Sequence, residues 1–122
     1  MPSAIETAVE TFIAAWCDTD PAKRVAMIEK CFAADGRMVT RGREIRGRAA
    51  LADEMTRIHS EPQLLRVRLG SAIDARGTTF RYRGIVELRD GTCAEAFDAG
   101  EVDADGQICL VLTFAGPLAE LQ

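Results

Sequence analysis

Three side chains in this sequence are suited to proton transfer: Asp98, Tyr82 and His59. Asp98 stands between the small residues Ala96 and Gly100, and an inward-facing carboxylate there would lose part of its hydration, which raises a carboxyl pKa. Such carboxylates are frequent at functional sites, although structural pairs also shift pKa values. The alternative is a carboxylate satisfied by Tyr82 or a backbone N–H group, or one that faces solvent.

The position of Asp98 relative to Tyr82 depends on one loop. Asp98 lies on the first arm of a predicted hairpin over residues 93–114, with its turn at Asp105-Gly106. The preceding strand carries Tyr82 and ends at Asp90-Gly91. A three-residue loop there places Tyr82 opposite Asp98 on one face, whereas a two-residue turn moves Asp98 to the other face. The spacing alone leaves both registers open.

His59 is the only histidine, at the end of a predicted helix. Its imidazole is an apt general base near neutral pH, or else it simply interacts with the helix dipole. Aromatic and soft apolar side chains predict a cavity for a flat or hydrocarbon ligand, although the same spacings also suit an ordinary core. The predicted ligand-binding residues are Trp16, Phe12, Met38, Met55 and Phe80.

The elements that position these residues follow from hydrophobic periodicity. Apolar residues at helical spacing predict helices over residues 3–17, 20–34 and 48–60, with Asp35-Gly36 ending the second. Met38-Val39 is predicted as a short strand, and alternation from Leu64 onward predicts four long strands. Three N-terminal helices on one face of such a sheet make one α+β domain over residues 1–122. Sheet twist is expected to curl it around the helices as a cone.

Composition excludes several classes of partner. The net charge is −4 and the pI about 5.0, which gives no general reason to bind nucleic acid. No apolar run is long enough to span a bilayer, and the N-terminus lacks the features of a signal peptide. We therefore expect a cytoplasmic protein without nucleic-acid or membrane partners. The four cysteines have no metal-ligand spacing, so neither a metal nor a cofactor is predicted.

Arginines are concentrated in two places. One local run either binds a carboxylate or phosphate at the rim of the cone or forms a solvated turn and helix start; it comprises Arg37, Arg41, Arg43, Arg46 and Arg48. A second set alternates with glutamates on outward-facing strand positions, where cross-strand charge pairs explain it without a ligand; it comprises Arg66, Arg68, Arg81, Arg83 and Arg89 with Glu87, Glu95 and Glu101.

The order and spacing of several short segments resemble the nuclear transport factor 2-like superfamily, and its SnoaL-like and ketosteroid-isomerase-like members most. These segments are Ala15-Trp16 with residues 18–20, then residues 32–35, residues 45–51, Asp90-Gly91 and residues 103–114. The resemblance implies a cone-shaped fold that binds a small apolar or aromatic molecule inside. It also implies a homodimer through the outer face of the sheet, where Phe97 would lie if Asp98 points inward.

The resemblance to ketosteroid isomerases can be followed residue by residue. Counting back from residues 103–108, Asp98 falls on the family's oxyanion-hole aspartate, a carboxylic acid kept neutral by its apolar site, and the alignment therefore favours an inward Asp98. The family's general-base aspartate falls near Thr40, and its catalytic tyrosine near Phe12 or Trp16. Because two of the three groups are missing, classical ketosteroid isomerase activity is not expected.

Two functions remain. The first is a small-molecule-binding protein, or an isomerase-, dehydratase- or cyclase-type enzyme, in which Asp98 exchanges a proton with the ligand and Tyr82 or His59 assists. The alternative is a non-catalytic dimeric interaction module with a closed or vestigial pocket. A cavity that reaches Asp98 favours the first function, whereas Trp16 and Tyr82 packed shut over Asp98 favour the second. Epoxide opening would need a second acid or base and a pocket arginine, which the sequence does not place.

Overall fold

The computed structural model describes residues 3–122, which form three helices and seven strands. Two helices come before the first strand, and the third lies between the second and third strands. The helices are α1 (Ala4–Cys17), α2 (Pro21–Cys31) and α3 (Arg48–His59). The strands are β1 (Phe32–Thr40), β2 (Arg43–Arg46), β3 (Leu64–Leu69), β4 (Asp74–Arg76), β5 (Thr79–Leu88), β6 (Cys93–Val102) and β7 (Ile108–Ala115).

The strands form one mixed, curved sheet. Its order is β2-β1-β7-β6-β5-β3, and β4 also pairs with β5. Only the β1–β7 pair is parallel among these described strands. Register shifts interrupt the β1–β7, β3–β5 and β6–β7 ladders, and such irregularities bend a sheet. The predicted α+β cone is confirmed.

Side-chain caps explain where the first two helices begin. The hydroxyl of Ser3 accepts a hydrogen bond from the Glu6 backbone N–H at 3.1 Å, as the predicted capping box requires. Asp20 accepts from the Ala22 N–H at 2.9 Å, and Pro21 occupies the first helical position, where a missing N–H costs little. Both predicted helix starts are confirmed to within one residue.

The predicted boundary between α2 and β1 was wrong. Helix α2 ends at Cys31, and Asp35-Gly36 lies inside a nine-residue strand rather than ending a helix. The register of β1 against β7 shifts between Phe32 and Arg37, so the Asp-Gly pair occupies an irregularity in a ladder. The residues on either side of this irregularity pair with β7, and the Gly36 carbonyl accepts a hydrogen bond from the Gly47 N–H at 2.8 Å. These long-range contacts hold the dipeptide extended, and no local pattern reveals them.

The loop before β6 decides the register left open above. It contains three residues, since the Leu88 N–H donates to the Thr92 carbonyl at 2.9 Å. Gly91 takes a φ of 90°, a conformation that favours glycine. Tyr82 consequently pairs directly with Asp98 across β5 and β6, and both side chains face the helices.

The helices cover the concave face of the sheet with a continuous apolar core. Its fully buried members include Val9 and Phe12 of α1, Leu51 and Met55 of α3, and Val111 of β7. Within residues 3–122, no helix is both long and apolar enough to cross a membrane.

On the convex face three of the five predicted arginines, Arg66, Arg68 and Arg83, pair with the predicted glutamates. Arg81 pairs instead with Asp74 at 2.8 Å, and neither Arg89 nor Glu101 forms a salt bridge among residues 3–122. Glu87 binds Arg68 at 2.6 Å and also pairs with Arg66. Arg83 lies 3.5 Å from Glu95. These pairs fix strand register and need no ligand.

Candidate functional site

A cavity of about 290 Å³ lies between the helices and the concave face of the sheet. Its apolar wall comes from α1, α3 and five strands, and includes Ile13, Trp16, Met38, Ile58 and Val67. Its polar lining consists of Thr40, Arg41, Arg43, Glu54, Arg57, Tyr82, Asp98 and Thr113. An engineered apolar cavity of about 150 Å³ holds a benzene molecule, so this space admits a single ring with a short substituent.

Asp98 and Tyr82 form the buried end of the cavity. The Tyr82 hydroxyl donates a hydrogen bond of 2.6 Å to Oδ2 of Asp98, and Tyr82 is only 4% exposed. The other carboxyl oxygen, Oδ1, and the hydroxyl of the cross-strand neighbour Thr113 are buried with no hydrogen-bond partner among residues 3–122. An unsatisfied buried polar atom costs about 1–3 kcal/mol, so both atoms are favoured positions for a ligand's polar group.

Burial sets the protonation behaviour of this pair. Loss of hydration raises the pKa of the Asp98 carboxyl above its usual 3.8. The hydrogen bond from Tyr82, with a smaller contribution from the nearby Thr113 hydroxyl, opposes part of that rise. Burial, with the nearby Asp98 charge, raises the pKa of the Tyr82 phenol well above its usual range. Tyr82 therefore remains a hydrogen-bond donor at neutral pH, while Asp98 is the member of the pair whose pKa is shifted toward neutrality.

Sequence reasoning missed the charged group at the other end of the cavity. Glu54 is 6% exposed and accepts hydrogen bonds from Arg57 at 2.9 and 2.8 Å. Arg43 approaches the same carboxylate at 2.9 Å. The hydrogen bond from Arg57, opposed by partial burial, lowers the pKa of Glu54. The available signal was Glu54 itself, a charge in line with Leu51 and Ile58 on the apolar stripe of α3.

Only two of the five predicted ligand-binding residues, Trp16 and Met38, line this cavity. Phe12 is wholly buried beneath it, stacked on Phe32 with ring centroids 6.2 Å apart. Met55 is also wholly buried, in the core. These side chains face inward as predicted, but they fill the space under α1 and α3 instead of bounding an empty one.

Phe80 and His59 also lie outside the Asp98 cavity. Phe80 stacks on Tyr82 with centroids 6.0 Å apart and supports the ring from behind. Nε2 of His59 lies 2.5 Å from the Trp16 carbonyl oxygen, so the imidazole closes the C-terminal end of α1. The structure therefore places His59 beside the cavity-lining residue Trp16 but not among the residues that line the cavity.

The basic run divides into two groups. Arg37 and Arg46 both pair with Glu44, at 3.4 and 2.9 Å, and Arg48 donates to the Phe32 carbonyl at 2.7 Å. Arg41 and Arg43 instead line the cavity. Within residues 3–122, no group of three or more His, Cys, Asp or Glu side chains is arranged to hold a metal ion.

The raised pKa of Asp98 predicts how stability depends on pH. A carboxyl whose folded-state pKa is raised stabilises the fold below its unfolded pKa, and this contribution is lost as pH rises through the folded pKa. Asp98→Asn should therefore gain stability relative to the wild type as the pH rises from 3.8 toward neutrality. Chemical denaturation across this range measures the difference.

Asp90 provides a control, because its pKa is shifted in the opposite direction from that of Asp98. The hydrogen bonds from Thr92 lower the pKa of Asp90, so Asp90→Asn should lose stability relative to the wild type as pH rises. A pH-independent difference for Asp98→Asn would contradict the raised pKa.

Comparison with known proteins identifies the fold. Neither a family profile nor a curated protein sequence matches the chain, but solved structures do. The chain has the NTF2-like fold, also called cystatin-like, which is an α+β cone.

Three solved structures illustrate the similarity. A SnoaL-like family protein from Agrobacterium tumefaciens is 22% identical with a TM-score of 0.83, over 93% of this chain and 98% of its own. A cystatin-like protein from Methylobium petroleophilum is 21% identical with a TM-score of 0.74, over 96% and 79%. An LEH-like epoxide hydrolase from M. tuberculosis is 21% identical with a TM-score of 0.68, over 93% and 83%.

Proposed function

We propose that this chain binds a small apolar or aromatic molecule in the cavity and acts on it by general acid–base catalysis through Asp98. The observation that carries this proposal is the buried carboxyl of Asp98, which lines a cavity the size of a small metabolite and has the Tyr82 hydroxyl as its one well-formed hydrogen-bond partner among residues 3–122. Solved structures of the same fold include an epoxide hydrolase, which supports chemistry in such a cavity by analogy alone.

The arrangement of Asp98 suits reactions that move one proton. Tyr82 holds Oδ2, which leaves Oδ1 to face the ligand. A protonated Asp98 donates a hydrogen bond from Oδ1 to a ligand carbonyl, and an ionised Asp98 takes a proton from an acidic C–H or O–H group. Isomerisation requires only that the proton taken from one carbon is returned to another. In an elimination that forms water, Asp98 would take the C–H proton and pass it to the hydroxyl group whose C–O bond breaks.

Glu54 and Arg57 supply the second acid and the arginine that epoxide opening would need. Glu54, however, is held by two guanidinium groups that lower its pKa, and a weakly basic carboxylate is poorly suited to activate water. We therefore favour isomerase- or lyase-type chemistry over epoxide hydrolysis.

Gly84 provides a direct test of the cavity. It faces inward on β5, lines the cavity, and an added Cβ would meet nothing closer than 3.9 Å. Gly84→Leu should fill the cavity and abolish binding, whereas Gly84→Ala should retain most of it. A thermal-shift screen of single-ring metabolites against both variants checks this, since a ligand at a hundredfold excess over its Kd stabilises by about 2.7 kcal/mol.

Two outcomes of that screen would contradict the proposal. Ligands that stabilise the wild type and Gly84→Leu equally would bind elsewhere on the surface. If no ligand in the screen stabilises the wild type, the alternative function, a non-catalytic dimeric interaction module, would be favoured.

We further propose that two copies of the chain associate through the convex face. Phe97 and Phe114 are direct cross-strand neighbours there, 48% and 64% exposed. Arginines of β5 and glutamates of β6 flank them, so a two-fold axis through the phenylalanines would bring opposite charges together. Large exposed aromatic pairs are uncommon on monomers.

Phe114→Glu should convert the dimer to a monomer, because it buries a charge at the centre of the apolar contact. Val25→Glu, at a 45% exposed position on α2, should leave the dimer intact. Sedimentation velocity at micromolar concentration measures both, and a wild-type monomer there would refute the dimer.

A further inference from the structure

The solvent-facing end of the Asp98 cavity is positively charged. Arg41, Arg43 and Arg57 line it together with Glu54, which gives this end a net charge of +2. Arg43 and Arg57 are about half exposed, at 49% and 48%, whereas Glu54 beneath them is 6% exposed. The chain thus surrounds the entrance with more positive charge than its own carboxylate neutralises.

Glu54 fixes two of these arginines and leaves donors free. Arg57 uses Nε and Nη2 on Glu54, and its Nη1 lies 3.9 Å from Glu61. Arg43 uses Nη1. A guanidinium has five N–H donors, so both arginines keep N–H groups for a further acceptor while their positions are held by the buried carboxylate.

Arg41 is the arginine with the most donor capacity to spare. It lines the cavity, and within residues 3–122 it has no salt-bridge or side-chain hydrogen-bond partner. The other members of the basic run, by contrast, each contact a carboxylate or carbonyl of the chain. A planar guanidinium fork binds a carboxylate or a phosphate bidentately, and the carboxylate is the smaller of the two groups to fit beside a ring in a cavity of about 290 Å³.

The two ends of the cavity differ in a way that orients a ligand. The buried end holds the carboxyl of Asp98, which repels a second carboxylate when ionised, while the entrance holds the surplus positive charge. Between them lies the apolar wall of Trp16 and Val67. We infer that the ligand of this cavity is an amphipathic carboxylate: a single-ring apolar body lies against Trp16, and its carboxylate is bound at the entrance by Arg41 with Arg43 and Arg57.

This inference rests on the proposed binding function and narrows its ligand class. It can be tested with benzoate, phenylacetate and 3-phenylpropanoate, each paired with its neutral primary amide. Trp16 is the only tryptophan of the chain, so its fluorescence reports occupancy of the cavity directly. Three chain lengths are used so that the ring and the carboxylate can both reach their sites in at least one probe.

The wild type should bind at least one carboxylate about tenfold more tightly than its amide, which corresponds to about 1.4 kcal/mol. Arg41→Gln should reduce that ratio to near one, and Arg41→Lys should retain part of it. Arg37→Gln is the matched control, since Arg37 belongs to the same basic run but pairs with Glu44; its ratio should equal that of the wild type.

The possible failures are distinguishable. If amides and carboxylates perturb Trp16 at equal concentrations, the cavity binds such molecules but the anion preference is wrong, and the proposed function stands. If neither series perturbs Trp16 at millimolar concentration, both the inference and the proposed binding function are refuted. If Arg37→Gln and Arg41→Gln reduce the ratio equally, general surface charge rather than the entrance accounts for it.

Discussion

Asp98→Asn is expected to lower turnover by about 10²–10⁴-fold, the usual contribution of a positioned general acid or base. The amide retains the shape of the side chain and can accept the 2.6 Å hydrogen bond from Tyr82, but it cannot exchange a proton. Thermal stability at neutral pH should not fall, because the substitution removes a carboxyl whose ionisation is disfavoured by burial. The measurement uses whichever stabilising ligand the wild type converts.

Asp90→Asn is the matched control for this experiment. It makes the same chemical change in the loop before β6, away from the cavity, and should leave turnover unchanged. Undiminished turnover in Asp98→Asn would remove Asp98 from the mechanism. Failure of the wild type to convert any ligand that stabilises it would remove catalysis from the proposal and leave binding alone.

Gly100→Ala is expected to destabilise the sheet strongly. An added Cβ would lie 2.1 Å from the Leu110 carbonyl oxygen and 2.6 Å from Cζ of Phe80. The clash with the carbonyl involves backbone in the adjacent strand β7, so a side-chain rotation cannot relieve it. Overpacking in a core typically costs about 1–3 kcal/mol, and we expect at least the upper end of that range.

Gly84→Ala is the matched control for Gly100→Ala, because both glycines face inward on neighbouring strands. Its nearest contacts would be at 3.9 and 4.0 Å, and replacing glycine where space and backbone allow stabilises by about 0.4–1 kcal/mol through the unfolded state. Urea denaturation of both variants measures the contrast. Equal stability of the two would show that the sheet at Gly100 relaxes more freely than its close packing indicates.

The periodic patterns of the chain were sufficient to predict the fold. Helical spacing in α1 and α3 and alternation in β5 depend on which face of each element is buried, and that information is local. Residue types that favour turns predicted a turn correctly where it joins two adjacent strands, as at Gly91. They failed at Asp35-Gly36, because the residues that flank this dipeptide pair with β7, more than seventy residues away, and keep the chain extended between them.

The site divides in the same way. The sequence by itself determined that Asp98 is a lone carboxylate on an otherwise small and apolar strand face, and that Tyr82 is its partner if the preceding loop has three residues. Only the tertiary structure decided that the loop does, and that His59 binds a carbonyl outside the cavity. It also decided that Arg43 and Arg57 both form salt bridges with Glu54 at the entrance of the cavity. These contacts join segments that are distant in the sequence. Their geometry depends on where α3 packs on the curved sheet, and no pattern within a single element specifies that position.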